Sequence, residues 1–229
     1  MLCNFIEQKM IDKDQTTINN VIFDLDGTLI DSAVSILASM GFAFNKAGIE
    51  PIRPLSHDLI GPPLTLALSS IISNANISAL HLLIEEFQIH YDESGYLESR
   101  IYEGVPEMLN ELRNMGKRLY IVTNKRFVPT LKIINHLGWI ELFEGIYTLD
   151  YFTPALPDKT ALLQRVIKDF PSISDGSIFV GDRLDDAYAA IANKMSFLLA
   201  SWGYGGPAEV DDFRYDRILD PSQLYKILD

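Results

Sequence analysis

Apolar residues gather in five short runs. Asn20-Val-Ile-Phe-Asp24, Arg118–Thr123, Gly145–Leu149, Ser177–Gly181 and Ser196–Ala200 are each five or six residues long and rich in Val, Ile, Leu, Phe or Tyr. Runs of that length, apolar on both alternating faces, predict strands covered on both sides. Helical spacing fills the intervals. Val105, Met108, Leu109 and Leu112 recur at i, i+3, i+4 and i+7, with Pro106 suited to a first turn and Gly116 to a stop. Lys159–Lys168 and Leu184–Asn193 read the same way. Alternating strands and helices predict an α/β fold around a parallel sheet.

One connection breaks this rhythm. About ninety residues separate Asp24 from Arg118, against the dozen or so that a parallel crossover needs. The interval has its own helical stripes: Ile36, Met40 and Phe44, then Leu80, Leu83, Ile84 and Phe87 behind Ser78, which is placed as an N-cap. Residues 33–102 are therefore expected to form a helical insertion between two parts of an α/β core, 19–32 and 103–229. Residues 1–18 are expected to form a loosely docked leader.

Composition narrows the partners. Nineteen Lys and Arg against thirty-one Asp and Glu give 229 residues a net charge of −12, which repels nucleic-acid backbones and anionic membranes. The single cysteine, Cys3, excludes an internal disulfide or a cysteine-based zinc site. No apolar run reaches transmembrane length and the start has no signal-peptide core, so the expectation is a cytoplasmic protein that binds neither membrane nor nucleic acid, as a monomer or homodimer.

Ligands of an open parallel sheet bind beyond the carboxyl ends of its strands. Three of the runs end in reactive side chains: Asp24 and Asp26, then Thr123 with Asn124 and Lys125, then Asp182. Lys159 opens the helix before the last of these strands. Clustered carboxylates repel one another and call for a hard cation such as Mg²⁺. A phosphate monoester is a dianion and needs donors such as Thr123 and Lys159 opposite that metal. One aspartate can attack phosphorus while its neighbour moves the proton. Taken singly, these residues also have ordinary readings: Asp24 and Asp26 as turn formers, Thr123 as a β-branched strand residue, Asp182 and Asp186 as residues of a helix start.

Asp24-Leu-Asp-Gly-Thr-Leu29, followed in order by Thr123, Lys159 and Gly181-Asp-Arg-Leu-Asp-Asp186, resembles the haloacid dehalogenase superfamily. Ile60-Gly-Pro-Pro-Leu64, Thr123-Asn-Lys125 and Trp202-Gly-Tyr-Gly205 resemble its phosphoglycolate phosphatase-like branch. The resemblance implies a Rossmann-like parallel-sheet core with an inserted all-helical cap of the C1 type. It implies Asp24 as nucleophile and Asp26 as general acid and base, with Thr123 and Lys159 on the phosphoryl oxygens. It also implies Mg²⁺ on the Asp24 carboxylate, the Asp26 carbonyl and Asp182, with Asp186 supporting the metal or Lys159 from behind. Where many relatives have Lys-Pro, this chain reads Leu156-Pro-Asp-Lys-Thr160.

Asn124, Lys125, Gly61 and Arg53 are further candidates for substrate contact. Arg53 has the reach for a substrate carboxylate or a second phosphate, and also reads as a surface arginine on a Pro-rich loop. Arg126 reads as surface. His57, His81, His90 and His136 have no ligand spacing. The expected activity is Mg²⁺-dependent hydrolysis of a small phosphorylated metabolite through an aspartyl-phosphate, with phosphoglycolate, sugar phosphates and nucleotides all open as substrates. A phosphomutase shares Asp24, Asp26, Lys159 and Asp182 and stays open. A non-catalytic phospho-acceptor would leave the helical insertion without a purpose, and the presence of every expected reactive group argues against a degenerate binding protein. Asp26 argues against dehalogenation, and the single insertion lysine, Lys46, gives little support to Schiff-base chemistry.

Overall fold

The computed structural model describes residues 17–73, 77–205 and 215–228. The leader, Cys3 among it, lies outside the described residues except for its last two positions.

Six parallel strands form the central sheet: β1 (Asn20–Phe23), β4 (Arg118–Thr123), β5 (Phe143–Thr148), β6 (Ser177–Gly181), β7 (Ser196–Ala200) and β8 (Asp216–Ile218), in the order β5-β4-β1-β6-β7-β8. The side-chain period of two divides each strand between two cores. Val21, Phe23, Leu119, Ile121, Ile178 and Val180 point to one face, where α4 (Val105–Asn114) and α5 (Phe127–His136) pack. Ile22, Tyr120, Val122 and Phe179 point to the other, under α6 (Lys159–Asp169) and α7 (Leu184–Ala192). Both faces are dry, which is why the strands read as continuous apolar runs.

The chain leaves β1 for β4 and β5 on one side and later returns to β6 on the other, so the sheet reverses direction at β1. The carboxyl ends of β1, β4 and β6 therefore open onto one crevice.

The insertion forms a helical cap. The two-stranded antiparallel ribbon of β2 (Ile30–Asp31) and β3 (Arg100–Ile101) joins it to the sheet domain, with Ile30 opposite Ile101 and Asp31 opposite Arg100. Between these strands lie α1 (Ala33–Ala47), the short α2 (Leu64–Ser69) and α3 (Ile77–Glu93). Ile36, Met40 and Phe44 of α1 meet Leu83, Phe87 and Tyr91 of α3 in a core separate from those of the sheet. Helix α3 starts at Ile77, so Ser78 lies inside its first turn and is not the N-cap. Strand β5 begins two residues earlier than its apolar pattern indicated, and β8 with the closing helix α8 (Ser222–Ile227) had no expected counterpart. Both are short, with few positions to establish a period. No helix among the described residues is long and apolar enough to cross a membrane.

Candidate active site

Asp24 follows β1 directly, its backbone N–H donating to the Val180 carbonyl at 3.0 Å. Leu25 is fully buried in the first sheet core, which leaves Asp24 and Asp26 together on the crevice side. The chain then turns tightly: Thr28, Leu29 and Ile30 all donate backbone N–H groups to the Leu25 carbonyl, at 3.3, 3.0 and 3.1 Å. Gly27 makes this possible at φ +88°, and a Cβ there would collide with the Asp182 carboxylate.

Asp182 ends β6 and is fully buried. It accepts from Thr28 Oγ1 at 3.0 Å and from the Tyr204 backbone N–H at 2.7 Å. Gly203 also presses on it, leaving no room for a side chain. Burial, helped by the Asp24 charge, pushes the Asp182 carboxyl up to about 7 against the pull of those two donors.

Lys159 opens α6 behind the Asp158 cap, whose carboxylate accepts from Ala161 N–H at 2.8 Å. Its ammonium lies 3.2 Å from Asp24 Oδ1 and donates to Asp186 Oδ1. Burial works against this charge, but Asp186 and Asp24 outweigh it and hold Lys159 protonated above its ordinary range. Asp186 is fixed from the other side by the Arg183 backbone N–H at 3.0 Å. Burial raises the Asp24 and Asp186 carboxyls, with Lys159 opposing the rise in both.

One oxygen each from Asp24, Asp182 and Asp186 falls within 4.8 Å of the others, and all three residues are buried. Asp24 Oδ1 accepts no well-aligned hydrogen bond, although the Lys159 ammonium lies near it. An all-oxygen, buried, anionic cluster with an under-coordinated carboxylate fits a hard divalent cation.

The Asp26 carboxylate points elsewhere. It accepts from Ser32 Oγ at 2.5 Å and from Lys125 Nζ at 3.0 and 3.1 Å through its two oxygens. The Lys125 side chain is 6% exposed and lies over the Tyr91 ring at 4.7 Å. Burial opposes its charge, Asp26 restores it, and the net effect is upward. Thr123 is buried at the end of β4, its Oγ1 accepting from Lys125 N–H at 3.3 Å. Asn124 donates to the Gly61 carbonyl of the cap at 3.0 Å and to Asp185 at 2.9 Å.

The structure thus brings Asp24, Asp26, Thr123, Asn124, Lys125, Lys159, Asp182, Asp186 and Gly61 to one crevice. It does not bring Arg53, whose guanidinium is exposed and tied to Asp58 at 2.6 Å. Arg126 is not a free surface residue. It makes a two-pronged ion pair with Asp92 of α3 at 2.9 and 2.5 Å, linking α5 to the cap. Ser32 and Tyr204 were not singled out from the sequence as site residues. Tyr204 donates its hydroxyl to Asp31 at 2.9 Å and accepts the Ser32 N–H at 2.6 Å, a link across about 170 residues. Only the Trp202-Gly-Tyr-Gly205 string pointed that way.

Above Asp26 a chamber of about 80 Å³ lies between core and cap, lined by Ile36, Met40, Ile60, Leu64, Phe87 and Tyr91, with Asn124, Lys125 and Arg126 at the core side. It touches Asp26 but not Asp24.

The fold is thus a parallel sheet with a helical insertion, carrying acids, a hydroxyl and a lysine at its switch point. The chain belongs to the haloacid dehalogenase-like hydrolase family, whose model matches residues 21–200, and falls among the phosphatases of its phosphoglycolate phosphatase-like branch. It is 28% identical over 192 residues to a 5'-nucleotidase of Pseudomonas aeruginosa, covering 83% of this chain and 86% of that one. It is 30% identical over 192 residues to a phosphoglycolate phosphatase of Agrobacterium fabrum, with 80% of each chain covered. The crystal structure of a predicted phosphatase from Clostridium acetobutylicum superposes with a TM-score of 0.82 at 26% identity, covering 93% of this chain and 99% of the other.

Proposed function

We propose that the protein is a Mg²⁺-dependent phosphatase that hydrolyses small phosphate monoesters through an aspartyl-phosphate on Asp24, with residues 33–102 acting as its cap. The observation that carries this reading is the Asp24–Lys159–Asp182 cluster, in which a buried carboxylate whose Oδ1 accepts no well-aligned hydrogen bond lies beside both a fixed ammonium and a second carboxylate.

Asp24 and Asp182, with the Asp26 backbone carbonyl, would hold the ion. When bound, it neutralises the paired carboxylates and draws charge from the phosphoryl oxygens. Lys159, held by Asp186, presents its ammonium to the phosphoryl group from the side of Asp24. Thr123 adds a hydroxyl donor at the end of the neighbouring strand. Asp24 attacks phosphorus as the bond to the leaving oxygen breaks, and Asp26, entering this step as the carboxylic acid, delivers its proton to that oxygen and becomes the carboxylate that Ser32 and Lys125 hold. Water then attacks the phosphoryl group on Asp24, and Asp26 takes its proton. Ser32 and Lys125 hold the Asp26 carboxylate in place for both transfers. The relatives named above support phosphoglycolate and nucleoside monophosphates as members of the first panel to test.

The test is phosphate release from a panel of phosphorylated metabolites with and without Mg²⁺. Release that requires the metal and falls by at least about a thousandfold in Asp24→Asn is expected. Undiminished release by Asp24→Asn would refute the mechanism.

A further inference from the structure

The chamber over Asp26 carries information about the leaving group. It abuts Asp26, the residue assigned to protonate the departing oxygen, and does not reach Asp24, so what fills it is the alcohol rather than the phosphate. Resting on the phosphatase reading above, we infer that the preferred substrates are monoesters of compact, uncharged alcohols, and that a leaving group bearing a carboxylate or second phosphate is disfavoured.

Three observations carry this. The cap contributes hydrocarbon and aromatic surface: Ile36, Met40, Ile60, Leu64, Phe87 and Tyr91. The two cations that line the chamber are already committed, Lys125 to both oxygens of Asp26 at 3.0 and 3.1 Å and Arg126 to both oxygens of Asp92 at 2.9 and 2.5 Å. Arg53, the remaining cap candidate for an anion, is outside the lining and paired with Asp58. An entering carboxylate would lose its water without gaining a partner, or would strip Lys125 from Asp26 and disturb the proton donor. A neutral alcohol incurs neither cost. A volume of about 80 Å³ suits a group of roughly half a dozen non-hydrogen atoms.

The deciding comparison is kcat/KM for 2-phosphoglycolate against its isosteric neutral amide, carbamoylmethyl phosphate, with p-nitrophenyl phosphate as a general reporter. The amide is expected to be the better substrate by about tenfold or more. Equal values, or a preference for the carboxylate, would overturn the inference and leave the phosphatase reading intact. So would turnover of the reporter with neither small ester accepted. No Asp24-dependent release from any of the three or from the wider panel above would remove the phosphatase reading itself, and this inference with it. A second arm adds a cation to the chamber. Leu64→Arg, at a half-buried lining position, is expected to move the amide-to-carboxylate ratio about tenfold toward the carboxylate; an unchanged ratio in a folded variant counts against the inference.

Discussion

At the scale of single residues, the site is shaped as much by what is missing as by what is present. Gly27 has a positive φ and faces the Asp182 carboxylate where a Cβ would stand. Gly27→Ala is therefore expected to destabilise the fold by about 1–3 kcal/mol and to weaken metal binding, measurable by urea denaturation and Mg²⁺ titration of the same variant. Asp182 offers a pH prediction. Its carboxyl is raised from 3.8 to about 7, so the folded, metal-free chain holds that proton more tightly than the unfolded chain. Stability from this group is present at low pH and is lost as pH climbs through about 7. Metal binding has the opposite dependence, because it needs the carboxylate. Apparent Mg²⁺ affinity should fall by up to about tenfold per pH unit below 7, and calorimetric titrations at pH 6 and pH 8 would show it.

Why some of these residues were legible and others not follows from distance along the chain. Asp24 and Asp26 sit in one six-residue string whose alternation already places them on one side. Ser32 and Tyr204 are joined by a hydrogen bond spanning 172 positions, and no local pattern marks such a pair. Lys125 could be read as solvated or as substrate-facing, because its partner Asp26 lies 99 residues earlier. Arg126 was misread for the same reason: Asp92, which occupies it, belongs to a helix 34 residues upstream.

At the scale of elements, β1, β4, β6 and β7 were the clearest features because they are buried on both sides and no polar residue interrupts their interiors. Helix α4 was equally clear, its buried residues being Val105, Met108, Leu109 and Leu112 as the spacing required. The start of α3 was not, since Ser78 resembles a cap in composition while Ile77 already belongs to the helix. The packing of one element on another is where function enters. Arg126 at the start of α5 and Asp92 near the end of α3 fasten the cap over the crevice, and Lys132 of α5 adds a bond to the Asp92 carbonyl at 2.6 Å. The Arg126 and Asp92 side chains are 26% and 22% exposed, so solvent screening keeps the pair modest. A double-mutant cycle with Arg126→Ala and Asp92→Ala should give a coupling of about 1 kcal/mol in stability. Each single variant should raise KM by more than it lowers kcat, as steady-state kinetics would report, because the latch touches neither Asp24 nor Lys159.

At the scale of the molecule, a chain with net charge −12 concentrates three buried carboxylates at one point of its sheet. Lys159 offsets part of that repulsion, and a divalent ion would offset the rest. Mg²⁺ at about a hundred times its dissociation constant should stabilise the fold by about 2.7 kcal/mol, which for a chain of this size corresponds to a rise in Tm of roughly 5–10 °C. Differential scanning fluorimetry would register it, and Asp182→Asn should remove most of the rise.

The ribbon of β2 and β3 has a consequence for how such a molecule can change. Asp31 and Arg100 are cross-strand neighbours, separated by only about 5 Å between Cα atoms, so the whole insertion leaves and re-enters through a gap that a two-residue turn could bridge. To the sheet domain the cap is a single peripheral loop. Another helical cassette could be spliced at the same two positions without altering the register of any of the six strands. The chemistry at Asp24 and the choice of alcohol above Asp26 can then vary separately, one residing in the chassis and the other in a replaceable part.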